Sequence, residues 1–251
     1  MILVLGCRGA STWMLVRELQ RNFADVRVII ENKEATGKFV RRRIRRLGAI
    51  ETIGQIAFVI YGKFAGARAR AAARICILRA GFDDSPLADD QIIAVESVND
   101  RTVRNQIASL RPRVVVVSGT RIIGSGTLAA TDAKFINAHY GITPMYRGVH
   151  GGYWALAQGD VAHCGVTVHL VDRGVDTGEV IAQEIISPGR RDNFFTLPVR
   201  QAIVATPLIV DAVRDCLEGR LATRAAAGPS RQWYHPTLWG YIWTGLRRGV
   251  W

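Results

Sequence analysis

Short apolar runs alternate along the chain with segments whose apolar residues recur at helical spacing. Residues 2–5, 26–30 and 114–117 are almost entirely aliphatic, which is typical of strands buried on both faces of a parallel sheet. A glycine turn and a helical pattern follow the first run, as at the start of a βαβ unit. The alternation predicts a three-layer α/β domain with a mostly parallel sheet.

The same pattern places the remaining elements. Further strands are predicted at residues 91–95, 135–136 and 165–171, with 180–184 as the partner of the last. Helices are predicted after a cap at Asn99 or Asp100, at residues 151–158, and at 193–217 with an interruption near Pro207. Residues 33–79 are predicted to form helices broken near Gly48, Gly54, Gly62 and Gly66. The α/β domain is expected to cover residues 1–220, and residues 221–251 a short aromatic and basic C-terminal tail.

Composition narrows the class of protein. About half of the 251 residues are apolar and about a fifth are charged, as in soluble globular proteins. The four cysteines are scattered with no CxxC pair, which excludes a zinc ribbon or a thioredoxin motif and predicts reduced thiols. Met1 leads directly into the first apolar run, and the longest apolar run, residues 53–62, is too short to span a bilayer. We therefore expect a cytoplasmic protein.

The net charge of +12 is concentrated in two segments. Residues 33–79 contain twelve Lys and Arg against Glu34 and Glu51, a net charge of +10, and residues 231–251 add +3 with no acid. The basic segment is amphipathic where it reads KFVRRRIRRLG. It is interpreted either as a solvated helix face or as a surface that binds an anionic ligand or an anionic membrane. The tail carries four of the six tryptophans, which suits core or subunit-interface packing, a cap over a binding site, or contact with a membrane.

Chemistry-bearing residues cluster in NAHYGITPMYRG, residues 137–148. Asn137 and His139 follow an apolar strand two positions apart, so their side chains point to the same side of an extended segment. The carboxyl ends of strands in open α/β sheets form the ligand crevice. His150, His163 and His235 have no partner at metal-ligand spacing, and His169 lies inside a strand, where a structural histidine is the default. No metal is therefore expected.

A second motif, residues 165–183, is a strand, an acidic glycine-containing loop and another strand. Asp176 lies in the loop, from which a carboxylate can reach a neighbouring strand end. An amide, an imidazole and a carboxylate without an adjacent serine or cysteine fit acyl transfer to an external amine better than nucleophilic catalysis. The turn GCRGAS at residues 6–11 is either structural or a ligand contact through Gly9 and Ser11 at a helix N-terminus.

These two motifs closely resemble those of the formyltransferases that use 10-formyltetrahydrofolate. The family pattern is Asn-x-His with a proline-containing loop, followed by a G-x-T-V-H-x-V-D strand and a D-x-G loop. The resemblance is specific over residues 110–185 and looser at the N-terminus. It implies a Rossmann-like fold, a 10-formyltetrahydrofolate donor and no metal. It also implies that Asn137, His139 and Asp176 are catalytic: Asn137 binds the formyl oxygen, His139 stabilises the oxyanion, and Asp176 serves as base or proton relay.

The resemblance also implies which residues bind the two substrates. The folate pterin is expected to be held largely by the backbone near Arg121, Ile122 and Ile123 and by the loop residues Arg173, Gly174 and Val175, which lead to Asp176. The acceptor is expected near Tyr146, Arg147, Gly148 and Tyr153, with Gly9 and Ser11 as further candidates.

The acceptor is interpreted first as the amine of a nucleotide-linked amino sugar, as in lipopolysaccharide O-antigen biosynthesis. The loop YGITPMYRG and the later GGYWAL resemble the sugar-modifying branch of the family rather than the transfer-RNA and purine enzymes. Methionyl-tRNA formyltransferase is favoured by the basic charge but opposed by the roughly 30 residues after the linker, where that enzyme has a further barrel domain. Glycinamide ribonucleotide transformylase fits the length but not the loop, and a non-enzymatic module that binds anionic surfaces is the remaining alternative. No stable nucleic acid partner is expected. A homodimer is compatible with the sequence, which leaves the oligomeric state open.

Overall fold

A seven-stranded sheet forms the centre of the protein in a computed structural model that describes residues 1–34, 36–189 and 192–251, without the side chains of residues 38, 39, 67, 68 and 70. Its strands are β1 (Ile2–Cys7), β2 (Val26–Glu31), β3 (Ile93–Val95), β4 (Val114–Ser118), β5 (Lys134–His139), β7 (Gly165–Leu170) and β8 (Val180–Ile185). The order is β3-β2-β1-β4-β5-β7-β8. The first five strands are parallel and the last two pair antiparallel. The predicted Rossmann-like α/β fold with a mostly parallel sheet is confirmed.

Helices cover both faces of this sheet. They are α1 (Ala10–Asn22), α2 (Thr36–Leu47), α3 (Ala49–Arg79), α4 (Arg101–Leu110), α5 (Ser125–Leu128), α6 (Gly151–Ala157), α7 (Leu197–Leu217) and α8 (Leu238–Arg248). On one face Leu19 of α1 and Val213 of α7 pack against the strands. On the other face Val103 and Ile107 of α4 do so. The three layers bury β1 and β4 on both sides, which explains their continuous apolar sequences.

The predicted interruptions of the basic segment at Gly54, Gly62 and Gly66 are wrong, because α3 is continuous through all three. Only Gly48, with a φ of +87°, separates α2 from α3. A Cβ on Gly54 would lie 2.3 Å from the Trp239 ring and one on Gly62 3.1 Å from Phe195. These two glycines therefore permit close packing against the helix, which sequence reasoning mistook for helix breaking.

Two other predicted boundaries also need correction. Helix α7 begins at Leu197 rather than at residue 193, because Asn193 accepts hydrogen bonds from the backbone of Phe195 and Thr196 and forms a turn before the helix. The helix continues through Pro207 without the expected interruption. Strand β3 is limited to three residues, since residues 89–91 form a 3-10 turn in front of it.

The tail packs on the rest of the protein through a second, two-stranded sheet. Strand β9 (Gln232–Trp233) runs parallel to β6 (Arg147–Gly148) in the loop after β5. Trp233 stacks on Trp154 with ring centroids 4.8 Å apart. His150 and His235 also join the two parts, because His150 Nε2 lies 3.0 Å from His235 Nδ1. Among the described residues, no helix has the combined length and apolar character that a bilayer span requires.

Candidate active site

The candidate site forms where β5, β7 and the loop after β7 meet. Asn137 and His139 lie on β5, and Asn137 is directly opposite His169 in the antiparallel pairing with β7. Asp176 comes from the β7–β8 loop in a left-handed conformation with φ of +51°, which few residues other than glycine, asparagine and aspartate adopt readily. The structure thus brings together all three residues predicted to be catalytic.

The polar groups form one continuous chain. Asn137 Nδ2 lies 3.3 Å from His169 Nε2, and the same His169 nitrogen lies 3.6 Å from Asp176 Oδ1. The other carboxylate oxygen, Asp176 Oδ2, lies 3.3 Å from His139 Nδ1. This series of polar groups places the imidazoles of His139 and His169 on the two oxygens of the Asp176 carboxylate, and the Asn137 amide lies at its open end.

Asp176 is held in its ionised form. Burial alone would raise the pKa of its carboxyl, but the charge of His139, the contact with His169 and a hydrogen bond from the Gly148 backbone lower the pKa to about 2. The Gly148 N–H lies 2.8 Å from Asp176 Oδ2. A carboxylate with so low a pKa is a weak proton acceptor at neutral pH and a strong electrostatic partner for a cation.

His139 is enclosed between two acceptors. Its Nε2 lies 2.6 Å from the Tyr146 carbonyl oxygen, while Nδ1 faces Asp176. The ring makes both hydrogen bonds only when both nitrogens carry a proton. The surroundings of His139 therefore offer an acceptor to each ring nitrogen, two residues along the strand from Asn137.

His169 belongs to this site, although the sequence suggested only a structural role for it. Its Nδ1 donates to the Leu170 carbonyl oxygen at 2.8 Å. Its Nε2 lies 3.3 Å from the Asn137 amide and 3.6 Å from Asp176 Oδ1, so it accepts from Asn137 when unprotonated and donates to Asp176 when protonated. The signal was present in the sequence, since His169 is part of the second motif. Its relation to Asn137 depends on the register between β5 and β7, which the sequence does not specify.

The loop predicted to flank the acceptor serves largely to build the site. Tyr146 is buried, its ring stacks near Trp233, and its hydroxyl donates to Asp160 Oδ2 at 2.8 Å. Arg147 Nη1 donates to the Val175 carbonyl at 2.7 Å, which ties this loop to the β7–β8 loop. Gly148 has a φ of +100°, and a Cβ there would lie 2.2 Å from the Trp233 carbonyl oxygen. Their contact with an acceptor stays a prediction.

The residues predicted to bind the pterin lie at the ends of two loops. The Arg121 guanidinium is engaged with Glu31, at 2.9 Å, and with the carbonyl oxygens of Asn32 and Glu96. Ile123 is buried, whereas the Ile122 side chain is 57% exposed. On the other loop, Arg173 and Gly174 are exposed beside Asp176. An exposed aliphatic side chain and an open loop suit a flat ring system, and contact of these residues with a pterin stays a prediction.

The remaining residues predicted to contact the acceptor, Gly9, Ser11 and Tyr153, differ in how deeply they are buried. Burial raises the pKa of Tyr140, the residue after His139, and the Ser11 hydroxyl acts against this rise, so the turn after β1 lies near the candidate site. Gly9 precedes α1, with free space around the position of a Cβ. Tyr153 is buried in an aromatic cluster with Phe194, away from open solvent. In the part of the chain that is described, no three His, Cys, Asp or Glu side chains are grouped to hold a metal ion.

Comparison with known proteins identifies the family. Residues 26–211 match the family model described as formyl transferase. The match covers every strand of the main sheet except β1, together with Asn137, His139, His169 and Asp176. The chain belongs to the formyl transferase family.

Individual relatives differ in the acceptor that their names give. The chain is 32% identical over 131 residues to a methionyl-tRNA formyltransferase of Anaeromyxobacter dehalogenans, covering 52% of this chain and 42% of that protein. It is 36% identical over 115 residues to a phosphoribosylglycinamide formyltransferase of Mycobacterium tuberculosis, covering 45% of this chain and 53% of the relative. The chain thus spans about two fifths to a half of the length of these curated relatives.

A similar fold occurs in the crystal structure of an N-formyltransferase from Helicobacter canadensis in complex with folinic acid and dTDP-3-aminofucose. The two share 14% identity with a TM-score of 0.57, over 92% of this chain and 70% of the other. At this level of identity the likeness concerns the fold alone.

Proposed function

We propose that this protein transfers the formyl group of 10-formyltetrahydrofolate to the amine of a nucleotide-linked amino sugar in the cytoplasm. The observation that carries the proposal is the continuous chain from Asn137 through His169 and Asp176 to His139. This chain contains donors and a fixed charge but no serine or cysteine nucleophile. Such a site suits direct attack by an external amine on an acyl carbon.

The proposed reaction needs negative charge to be stabilised on the formyl oxygen. The amine nitrogen bonds to the formyl carbon, the bond from that carbon to N10 of the folate breaks, one proton leaves the amine and one reaches N10. The Asn137 amide carries two hydrogens, so the contact of its Nδ2 with His169 at 3.3 Å leaves at least one hydrogen for the formyl oxygen. His139 lies at the same strand end, and its ring carries a positive charge whenever both nitrogens are protonated to meet Tyr146 and Asp176.

Asp176 is proposed as the residue that orients and charges His139 rather than as the base that deprotonates the amine. Its pKa of about 2 makes proton transfer from an amine unfavourable, but the same carboxylate stabilises a protonated imidazole at 3.3 Å. This refines the role that the family resemblance implies.

The donor is proposed to lie across the exposed Ile122 side chain and the loop Arg173–Gly174–Val175, beside Asp176. The donor supplies an activated formyl group, and the chain supplies its orientation. The acceptor is proposed to approach the open end of the network at Asn137, near the segment Arg147–Gly148. Two observations support an amino-sugar acceptor: the loop sequence after His139, and the fold shared with a protein crystallised with dTDP-3-aminofucose.

A second acceptor class, methionyl-tRNA or glycinamide ribonucleotide, is favoured by the sequence relatives. Those matches reach 32% and 36% identity, against 14% for the structural neighbour. The chemistry at the network is the same for all three acceptors, so only turnover separates them.

The decisive experiment is a formyl-transfer assay with 10-formyltetrahydrofolate against nucleotide-linked 3-amino and 4-amino sugars, methionyl-tRNA and glycinamide ribonucleotide. Turnover on one sugar nucleotide is the expected result. Turnover on either other acceptor keeps the chemistry and overturns the sugar. Absence of folate binding by calorimetry removes the proposed activity itself.

A further inference from the structure

Large apolar side chains are exposed in an unusual concentration on α2, α3 and the C-terminal segment. Nineteen such side chains are exposed among the described residues, and fifteen of them lie in these three places. Phe64, Ile50 and Leu246 are 80%, 75% and 71% exposed. Isolated exposed apolar residues are ordinary, but a concentration of this kind marks an interaction surface.

On α3 most of the exposed apolar residues form one stripe. Ile50, Ile53, Ile60, Phe64 and Ile75 recur at spacings that place them on the same side of the helix. The opposite side, with Phe58 and Ile77, is buried against the protein. A helix that is apolar all round is normally covered on all sides. Half of α3 is instead exposed to water over most of its 31 residues.

Helix α8 presents a second stripe. Trp239, Ile242, Trp243 and Leu246 follow the spacing i, i+3, i+4, i+7, and all four are exposed. The side of α8 that carries Tyr241 is buried, and this ring lies 5.8 Å from that of Tyr61 on α3. The stripe therefore points away from the protein rather than into it.

The two stripes adjoin. The Trp239 ring packs over Gly54, so closely that a Cβ there would lie 2.3 Å from it. Gly54 is one residue from Ile53 and four from Ile50. The exposed faces of α3 and α8 therefore form one surface, which we call the apolar platform: Ile50, Ile53, Ile60, Phe64, Trp239, Ile242, Trp243 and Leu246.

Arg247 borders the apolar platform, and further cations lie on α2, which packs against α3. Arg41 and Arg45 are exposed on α2 beside the exposed Ile44, and Arg247 lies over the Trp243 ring at 4.8 Å. The only acid in α2, α3 and α8 is Glu51. Apolar side chains, indole rings and cations on one amphipathic face are the composition of helices that lie in the headgroup region of an anionic bilayer.

We propose that the apolar platform docks this protein on the surface of an anionic phospholipid bilayer, with the tryptophans and aliphatic side chains entering the headgroup boundary. A second copy of the chain would bring two segments of net charge +10 together, which opposes self-association. Nucleic acid would neutralise the arginines but would leave the aliphatic stripe in water. An anionic lipid surface would neutralise the arginines and would also cover the apolar side chains. The inference does not depend on the formyl acceptor.

Vesicle sedimentation with the full chain tests the proposal, using phosphatidylcholine with and without phosphatidylglycerol. Binding is expected only with phosphatidylglycerol. The double variant Phe64→Ser/Leu246→Ser should lower vesicle affinity about tenfold to a hundredfold. The matched variant Val161→Ser/Ile185→Ser, at two residues exposed elsewhere, should bind as the native chain does.

A charge series separates electrostatic attraction from apolar insertion. Arg41→Gln/Arg45→Gln/Arg247→Gln should weaken binding to phosphatidylglycerol vesicles at least about tenfold. Arg27→Gln/Arg101→Gln/Lys134→Gln removes the same charge elsewhere and should have little effect. Lipids brominated in the acyl chains should quench tryptophan fluorescence, and Trp239→Phe/Trp243→Phe should abolish most of this quenching.

Three results would overturn the proposal. The first is that the native chain fails to bind phosphatidylglycerol vesicles. The second is that Phe64→Ser/Leu246→Ser and Val161→Ser/Ile185→Ser bind these vesicles equally well. The third is that the chain does not bind vesicles but forms a dimer, seen by light scattering, or binds RNA, and that Phe64→Ser/Leu246→Ser abolishes this association. Formyl transfer measured without vesicles should be unchanged in every variant, so loss of docking and failure of the proposed activity are distinguished.

Discussion

At the scale of single residues, the shared carboxylate of Asp176 determines how the candidate site can operate. It faces His139 on one oxygen and His169 on the other, so removing its charge affects both imidazoles. We expect Asp176→Asn and His139→Asn each to lower turnover at least about a hundredfold. Turnover in the assay described above, together with circular dichroism, separates loss of chemistry from loss of fold.

The matched control for this prediction is Asp132→Asn, which removes an exposed carboxylate from the loop before β5. It should leave turnover unchanged. Near-native activity in Asp176→Asn would contradict the assignment of this residue to the site.

The residues of the site were predictable to different degrees. Asn137 and His139 were found because a two-residue spacing on a strand fixes a common side, and Asp176 because the acidic loop of a second motif was recognised. The role of His169 depends on strand register, and that of Gly148 on a loop that folds back to donate an N–H. Both are long-range relations that no local pattern contains.

At the scale of elements, the packing of α3 depends on two glycines, because Gly54 and Gly62 allow the side chains of Trp239 and Phe195 to approach the helix closely. Gly54→Ala would place a Cβ within 2.7 Å of the buried Thr237 side chain and closer still to Trp239. We expect it to lower the free energy of unfolding by about 1–3 kcal/mol, because overpacking outweighs the helix propensity gained. Urea denaturation measures this change.

Gly37→Ala on α2 is the control, since no heavy atom lies within 4 Å of its Cβ position. This variant should be neutral or stabilised by up to about 1 kcal/mol. If both variants behaved alike, the packing role of Gly54 would be refuted.

Element types were largely predictable and their partners were not. Apolar runs predicted the parallel strands, because strands buried on both faces need an apolar residue at every position. Local helix propensity predicted that the glycines would break α3, and this was wrong. Gly54 is explained by its packing against Trp239, which lies 185 positions further along the chain. The pairing of β6 with β9 is two residues long and has no sequence pattern of its own.

At the scale of the whole molecule, the His150–His235 pair makes stability depend on pH. Burial lowers the pKa of both rings, that of His235 to about 4, and Arg43 adds to the effect. The unfolded chain, with histidine pKa near 6.5, then binds more protons than the folded one between these values. Stability is therefore full above about pH 6.5 and falls as pH drops towards 4.

Thermal and urea unfolding across this range should show a loss of about 3 kcal/mol from His235 alone, to which His150 adds. His235→Gln should flatten the dependence, whereas His163→Gln, at a half-exposed ring paired with Asp160, should not. Asp176 contributes in a separate window, because its stabilisation is lost only as pH falls from about 3.8 towards 2. An unchanged slope in His235→Gln would exclude the pair as the cause.

The β6–β9 pairing has a consequence for how the protein is made. Gly148, which donates to Asp176, is positioned against the backbone of Trp233. The ribosome therefore synthesises all seven strands of the main sheet before it adds Gln232 and Trp233, which position Gly148 for its contact with Asp176. We expect the nascent chain to form the sheet first and to complete the Gly148–Asp176 contact only after Gln232 and Trp233 have been added.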